Sequence, residues 1–168
     1  MDEIFLEQIV SKKSTYKTVI GKILIALGAA ALILALSYID YLSMFLPFLA
    51  LGIIVITILL VRRMNIEYEY LLSGNELDID IIYAKSSRKH LITIQLNSVS
   101  KFAPVSDTRD FSAWKEKSAK IKDYSSSETA PGRYFAVFEG EYGKTLVILE
   151  PDTRLSDAIT KALPRGII

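Results

Sequence analysis

The chain has no cysteine, one histidine and one tryptophan. The missing thiols exclude disulfides, thiolate metal sites, cysteine nucleophiles and lipid attachment on cysteine. A lone histidine removes the usual residue for acid–base chemistry and for transition-metal ligation. An excess of one charge is lacking too: 20 basic residues stand against 19 acidic ones, a formal charge of +1. That balance excludes a generally basic nucleic-acid binder and an acidic disordered chain. Neither a glycine-rich phosphate loop nor a G-x-S-x-G or H-E-x-x-H pattern occurs. What is abundant is apolar. Of the 168 residues 51% are hydrophobic and the mean hydropathy is +0.30, although the charged share, 23%, is ordinary for a soluble domain. The apolar excess must be concentrated, and it lies between Val19 and Val61.

Val19–Ile39 carries a single charge, Lys22, and its 21 residues span about 31 Å as a helix, the thickness of a hydrocarbon core. Met44–Val61 adds 18 uncharged residues and ends at Arg62 and Arg63. Pro47 falls in its first turn, where the missing N–H has no intrahelical partner to lose. Only Asp40–Ser43 separates the runs, which predicts a tight transmembrane hairpin with Tyr38 and Tyr41 at headgroup level. Lys12, Lys13, Lys17 and Lys22 precede the first span, Arg62 and Arg63 follow the second, and the connecting loop has no basic residue. The positive-inside rule then places both termini in the cytoplasm of a multi-pass protein of the cell membrane. A cleaved signal peptide fits poorly, because the leading region is long and contains Asp2, Glu3 and Glu7. The small pairs Ala26/Ala30 and Ala31/Ala35, with Gly28 between them, are expected to pack the hairpin on itself in preference to a second copy.

Residues 1–18 read as an amphipathic cytoplasmic segment. Within it, Asp2–Val10 sets Ile4, Phe5, Gln8 and Ile9 on one helical face and Glu3 and Glu7 on another, predicting a short helix packed on the cytoplasmic domain. After the hairpin, residues 19–63, comes a strand-rich region, 64–168. It holds 14 basic and 15 acidic residues, so the basic excess belongs to the membrane flanks. Ile66–Leu72 and Glu76–Tyr83 alternate around the turn Ser73-Gly74-Asn75 and read as a hairpin. Lys89–Leu96 is a third strand after the basic turn Lys85–Arg88, and Val99–Pro104 continues extended. A helix is expected at Phe111–Lys122, capped by Asp110, with Phe111, Trp114 and Ile121 on one face. A loop follows at Tyr124–Gly132, then strands at Tyr134–Glu139 and Thr145–Leu149. A last helix starts at Asp152 or Thr153, runs to about Leu163 and is stopped by Pro164.

This order of elements resembles the bacterial PH-like membrane proteins. The resemblance rests on Leu72-Ser73-Gly74-Asn75-Glu76-Leu77, similar to that family's "T/S-G-N-x-L" strand end. It rests also on Ile94-Gln95-Leu96-Asn97-Ser98-Val99, similar to its "I-x-L-x-x-I/V" crossing segment. The whole chain is also similar to a small family of two-span bacterial membrane proteins with a domain of unassigned function. The resemblance implies a transmembrane hairpin followed by a mainly-β (α+β) PH-like small barrel or sandwich closed by a C-terminal helix. It implies a scaffold or regulatory role more than catalysis. Seven strands would be expected there, and five are legible.

Candidate sites are few. Glu76, Asp78 and Asp80 project from one face of a strand, where carboxylates could hold a divalent cation, but a linear ladder does not wrap an ion and a solvated face is the simpler reading. Lys85, Arg88 and Lys89 form a basic turn that could meet lipid phosphates, as could the Trp114 helix with Lys115, Lys117, Lys120 and Lys122. The plain alternatives are a solvated turn and a tryptophan filling the core. His90 has neither triad partner nor metal cluster in view, and Tyr124–Glu128 reads as a flexible loop or a modification target. No catalytic, cofactor-binding or metal role is assigned to any residue. The expected function is a non-enzymatic scaffold or protein-interaction module at the cytoplasmic membrane, with a protein partner or its own copies and no nucleic acid. The alternative is a module that binds or senses anionic lipid.

Overall fold

The computed structural model describes residues 5–140, 143–164 and 167. Their order is β1 (Phe5–Ser11), α1 (Tyr16–Ser37), α2 (Leu46–Arg63), β2 (Ile66–Ser73), β3 (Glu76–Tyr83), β4 (Ser87–Gln95), β5 (Val99–Pro104), α3 (Thr108–Lys117), β6 (Lys120–Asp123), β7 (Tyr134–Gly140), β8 (Gly143–Leu149) and α4 (Thr153–Ala162). Two compact units result. A helical one comprises Lys13–Ile66 with the turn Tyr83–Ser87, and a β one comprises the residues up to Lys12, Glu67–Ile82 and those from Arg88 onward.

In the helical unit, α1 and α2 are long and apolar enough to cross a membrane. Pro47 occupies the first turn of α2 and Arg62 and Arg63 its last. The half-buried positions of α1 are Thr18, Gly21, Lys22, Ile25, Ala29, Ile33 and Leu36; those of α2 are Leu46, Ala50, Ile53, Thr57 and Val61. Both sets recur every three or four residues, the spacing by which two helices meet along one seam. Ala26, Gly28, Ala30, Ala31 and Ala35 lie off this seam and are exposed, contrary to the expected self-packing. Small residues permit close approach but do not select which face is used. Here Ala29 and Ala50 serve. Lys22 Nζ donates to Asn65 Oδ1 at 2.8 Å and ties the start of α1 to the end of α2.

The β unit holds two four-stranded sheets, ordered β1-β2-β3-β4 and β5-β7-β8-β6. They do not form a closed barrel. The segment expected as an N-terminal helix is strand β1, antiparallel to β2 from Phe5 opposite Ser73 to Ser11 opposite Glu67. Its residues satisfy both periods, since Phe5, Glu7 and Ile9 alternate with Leu6, Gln8 and Val10. Pairing with β2 resolves the ambiguity by burying Val10. The Gln8 side chain then acts as a further peptide group, with Nε2 donating to Glu150 O at 3.0 Å and Oε1 accepting from Asp152 N at 2.8 Å. Asp152 in turn caps α4 by accepting from Leu155 N.

The expected helix at 111–122 is also corrected. The helix starts earlier, capped by Asp107 and not Asp110, and ends at Lys117; Lys120–Asp123 is strand β6, parallel to β8. Hydrogen bonding to Thr145–Ile148 outweighs continuing the helix from Lys117 to Lys122. Ile121 is accordingly exposed, not on the Trp114 face.

The second sheet is covered on both faces, which explains the unbroken apolar runs in β7 and β8. Ala103, Phe135, Val137, Leu146 and Ile148 form one buried cluster, covered by Val105 and by Phe111 and Trp114 of α3. The alternate residues Phe102, Ala136, Phe138, Val147 and Leu149 are buried on the opposite face, toward the first sheet. Tyr70 joins the sheets: its hydroxyl donates to Tyr124 O at 2.6 Å and accepts from Glu150 N at 3.2 Å.

Candidate functional site

The acidic ladder is engaged by its neighbour strand. Strand β3 alternates as expected, burying Leu77, Ile79 and Ile81 and turning Glu76, Asp78 and Asp80 outward. Gln95 Nε2 donates to Glu76 Oε1 at 2.6 Å, Thr93 Oγ1 donates to Asp78 Oδ1, and His90 Nδ1 lies 2.8 Å from Asp80 Oδ1. Each carboxylate thus has a partner from β4, and the ladder works as cross-strand pairing. Among the described residues no three His, Asp or Glu side chains are grouped to hold a metal ion.

A fourth carboxylate on this face had no signal in the sequence. Glu69 reads as an outward residue of β2, yet it is buried, with Ile9 opposite it on β1. Arg88 Nη2 approaches Glu69 Oε1 to 3.1 Å, as an ion pair without hydrogen-bond alignment, and that oxygen has no hydrogen-bond partner. Burial holds the Glu69 carboxyl above the usual range, and a hydrogen bond with Glu7 adds to this; Arg88 opposes both. Alternation identifies which face a side chain takes, but its coverage depends on an adjacent edge strand and on an arginine stem from β4.

The basic residues selected from sequence are not brought together. Lys85 belongs to the turn of the helical unit. Arg88 is engaged by Glu69 on the outer face of the first sheet, and Lys89 is exposed beside it. Trp114 packs on the outer face of the second sheet, against the cluster around Phe135. Lys117 Nζ and Lys144 Nζ lie 5.6 and 5.4 Å from its ring centroid, distances at which a cation and an indole attract. Trp114 is therefore a core lid.

The stretch expected as a flexible loop or modification target is tightly built. Tyr124, Ser125 and Ser126 are buried. Asp123 Oδ1 accepts from Ser125 N and Oγ, Glu150 Oε2 accepts from Ser126 N, and Arg133 joins Asp123 to the carbonyl of Glu128. Burial pushes the Tyr124 hydroxyl up to about 12, and that of Tyr70 higher still, so both act as neutral hydrogen-bonding groups.

Two clefts remain. One, of about 460 Å³, runs between β4 and β6 and is lined by Leu91, Ile92, Thr93, Lys120, Lys122 and Phe138 among others. Both bounding strands are last in their sheets, so among the described residues each has one side without a neighbouring strand. The other, of about 520 Å³, belongs to the helical unit, between the end of α2 and the Tyr83–Ser87 turn. Neither was foreseen, because edges and turns meet only after folding.

No curated protein and no solved structure matches the chain. The bacterial PH-like domain (DUF6106) model matches residues 2–168, which include both apolar helices, both sheets and the final helix. With its two candidate membrane helices and a sandwich of two four-stranded sheets, the chain belongs to the bacterial PH-like domain family.

Proposed function

We propose that this protein is a non-enzymatic, membrane-anchored interaction module, whose β unit binds an extended segment of a protein partner at the cytoplasmic face. The observation that carries the reading is the cleft bounded by the edge strands β4 and β6. An edge strand offers a row of free N–H and C=O groups, and an extended peptide that adds to it gains main-chain hydrogen bonds along its length. Lys120 and Lys122 at the rim discourage indiscriminate edge pairing, as charged residues on edge strands do. Anchoring by α1 and α2 raises the effective concentration of the module toward other membrane proteins, so modest affinity suffices. Lipid reading through Lys85, Arg88, Lys89 and Trp114 has less support, since Arg88 and Trp114 are engaged on opposite outer faces of the sandwich.

The test places a photocrosslinking residue at Leu91, at Lys122 and, as a control, at exposed Arg109 in intact membranes. Adducts of one discrete mass from positions 91 and 122 and none from 109 are expected. No adduct, or the same adducts from all three positions, rejects the cleft as the binding edge; a mass of two chains identifies a second copy as the occupant. Orientation is tested separately. Because the chain has no cysteine, single substitutions label without background. Tyr41→Cys should react with an impermeant thiol reagent in intact cells, and Ser14→Cys and Lys89→Cys only after permeabilisation. The reverse pattern overturns the assigned topology.

A further inference from the structure

We propose that the helical unit holds one anionic phospholipid in the cleft between the basic end of α2 and the Tyr83–Ser87 turn. The inference rests on the reading that α1 and α2 cross a bilayer. It is independent of the β4–β6 cleft.

The lining changes character along the helix. Ile56, Leu59 and Leu60 supply an apolar wall, and Arg62, Arg63, Ser86 and Ser87 supply the polar end. From Ile56 to Arg63 the helix rises about 10 Å, so the change from hydrocarbon to cation takes two turns. A phospholipid has the same gradient, acyl chain to phosphate, over the same interval. Among the described residues neither Arg62 nor Arg63 has a side-chain hydrogen bond or ion pair. A guanidinium donates two parallel N–H bonds to a phosphate, and the Ser87 hydroxyl adds a donor at the same end, that of Ser86 being directed to Tyr83 O.

The turn is held in place over this cleft. Ala84 N donates to Asn65 O at 3.1 Å, and Ser86 N donates to Tyr83 O at 3.1 Å. Ala84 and Lys85 adopt φ values of 52° and 58°. Two consecutive left-handed residues make the hairpin turn usually given to Asn-Gly, and side-chain-bearing residues adopt it at a cost. Docking on Asn65 holds the strained turn and presents Ser86 and Ser87 at the cleft. A helix C-terminus ordinarily repels anions, but here Val61 O and Arg62 O already accept from Met64 N and Asn65 N, and the arginines outweigh the rest.

Headgroup selectivity follows from the lining. It contains two arginines and no acidic residue. A zwitterionic headgroup would bring a cation that finds no counter-charge, whereas a phosphatidylglycerol headgroup brings none. A free phosphate would leave Ile56, Leu59 and Leu60 unfilled.

The experiment is native mass spectrometry of the full-length protein in mild detergent, offered equimolar phosphatidylglycerol and phosphatidylcholine. The wild type should retain one phosphatidylglycerol per chain in preference to phosphatidylcholine. Arg62→Gln/Arg63→Gln should weaken retention about tenfold or more, as expected for two cations at an anionic headgroup. Ser87→Trp, which fills the cleft and leaves the charge intact, should weaken it as well. Lys89→Gln, outside the cleft, should leave it unchanged, and millimolar inorganic phosphate should not displace the lipid. Equal retention of both lipids, or retention unaffected by either cleft variant, overturns the proposal; displacement by inorganic phosphate reassigns the site to a free anion and overturns the lipid. Carbonate extraction separates the premise from the site. Release of the chain from membranes removes the bilayer reading itself, whereas a chain that resists extraction and retains no lipid overturns the site alone.

Discussion

In the hairpin of α1 and α2 no residue is buried, and Leu24, Leu27, Phe48 and Leu51 are each more than half exposed; in the β unit Tyr70, Leu72, Ile79 and Phe135 have almost no surface left. The hairpin is by far the more apolar of the two, yet it is the β unit that buries its apolar side chains, so apolar composition alone does not decide burial. The hairpin satisfies its backbone within each helix and leaves its apolar side chains exposed, the arrangement a helix needs in order to cross a bilayer. The β unit must satisfy its backbone and bury its side chains by pairing segments far apart in the chain. Truncating a side chain should therefore be tolerated in the first and costly in the second.

Phe135→Ala is expected to have the largest effect, about 3–5 kcal/mol, because it opens a cavity between Phe111, Val137 and Leu146. Leu51→Ala, on the exposed surface of α2, should stay within about 0.5 kcal/mol. Denaturant unfolding in detergent, followed by the single tryptophan, measures the first. Far-ultraviolet helicity measures the second. A Leu51→Ala loss as large as that of Phe135→Ala would break the comparison, by showing that α2 is packed against protein and not lipid.

Tyr70→Phe removes the hydroxyl that joins the sheets and leaves Tyr124 O and Glu150 N without it. A loss of about 1–3 kcal/mol is expected in the same unfolding measurement. An unchanged midpoint would show that the two sheets hold together through apolar contact alone.

The smallest effect concerns Glu69, whose carboxyl is held above its ordinary value of 4.5. An acid raised in this way favours the fold while protonated. Its contribution is complete below 4.5 and is lost as pH rises through the higher folded value. Glu69→Gln has nothing to titrate. It should match the wild type near pH 4 and become the more stable of the two as pH rises toward 8, in thermal midpoints taken across that range. A wild type that gains on the variant with rising pH would show that the Arg88 ion pair outweighs desolvation.

The strands β2, β3, β7 and β8 and the helix α4 were legible because an alternating or continuous apolar run, bounded by glycine, asparagine or proline, leaves one regular solution. Even there the extent of burial was not legible. Glu69 looks like its neighbour Glu67, and both lie beside β1, but only Glu69 meets the Arg88 guanidinium and is buried. The candidate site was less legible than the fold. In the sequence Arg88 and Trp114 read as contacts for a ligand, and each contacts the protein itself. Arg62 and Arg63 read only as topological markers, and they line the cleft of the helical unit.

What the sequence determined by itself was the pair of apolar spans, the basic flanks and the strand-rich class, because helix length, charge and hydrophobic period act over neighbouring residues and need no partner. Tertiary structure alone decided that residues 5–11 are a strand, that Lys120–Asp123 leaves the helix for a parallel ladder with β8, and that two pairs of distant segments enclose clefts. The reason is the same in each case. A short amphipathic segment fits more than one period, and the choice is made by backbone hydrogen bonds to a partner that chain topology, not local sequence, brings alongside.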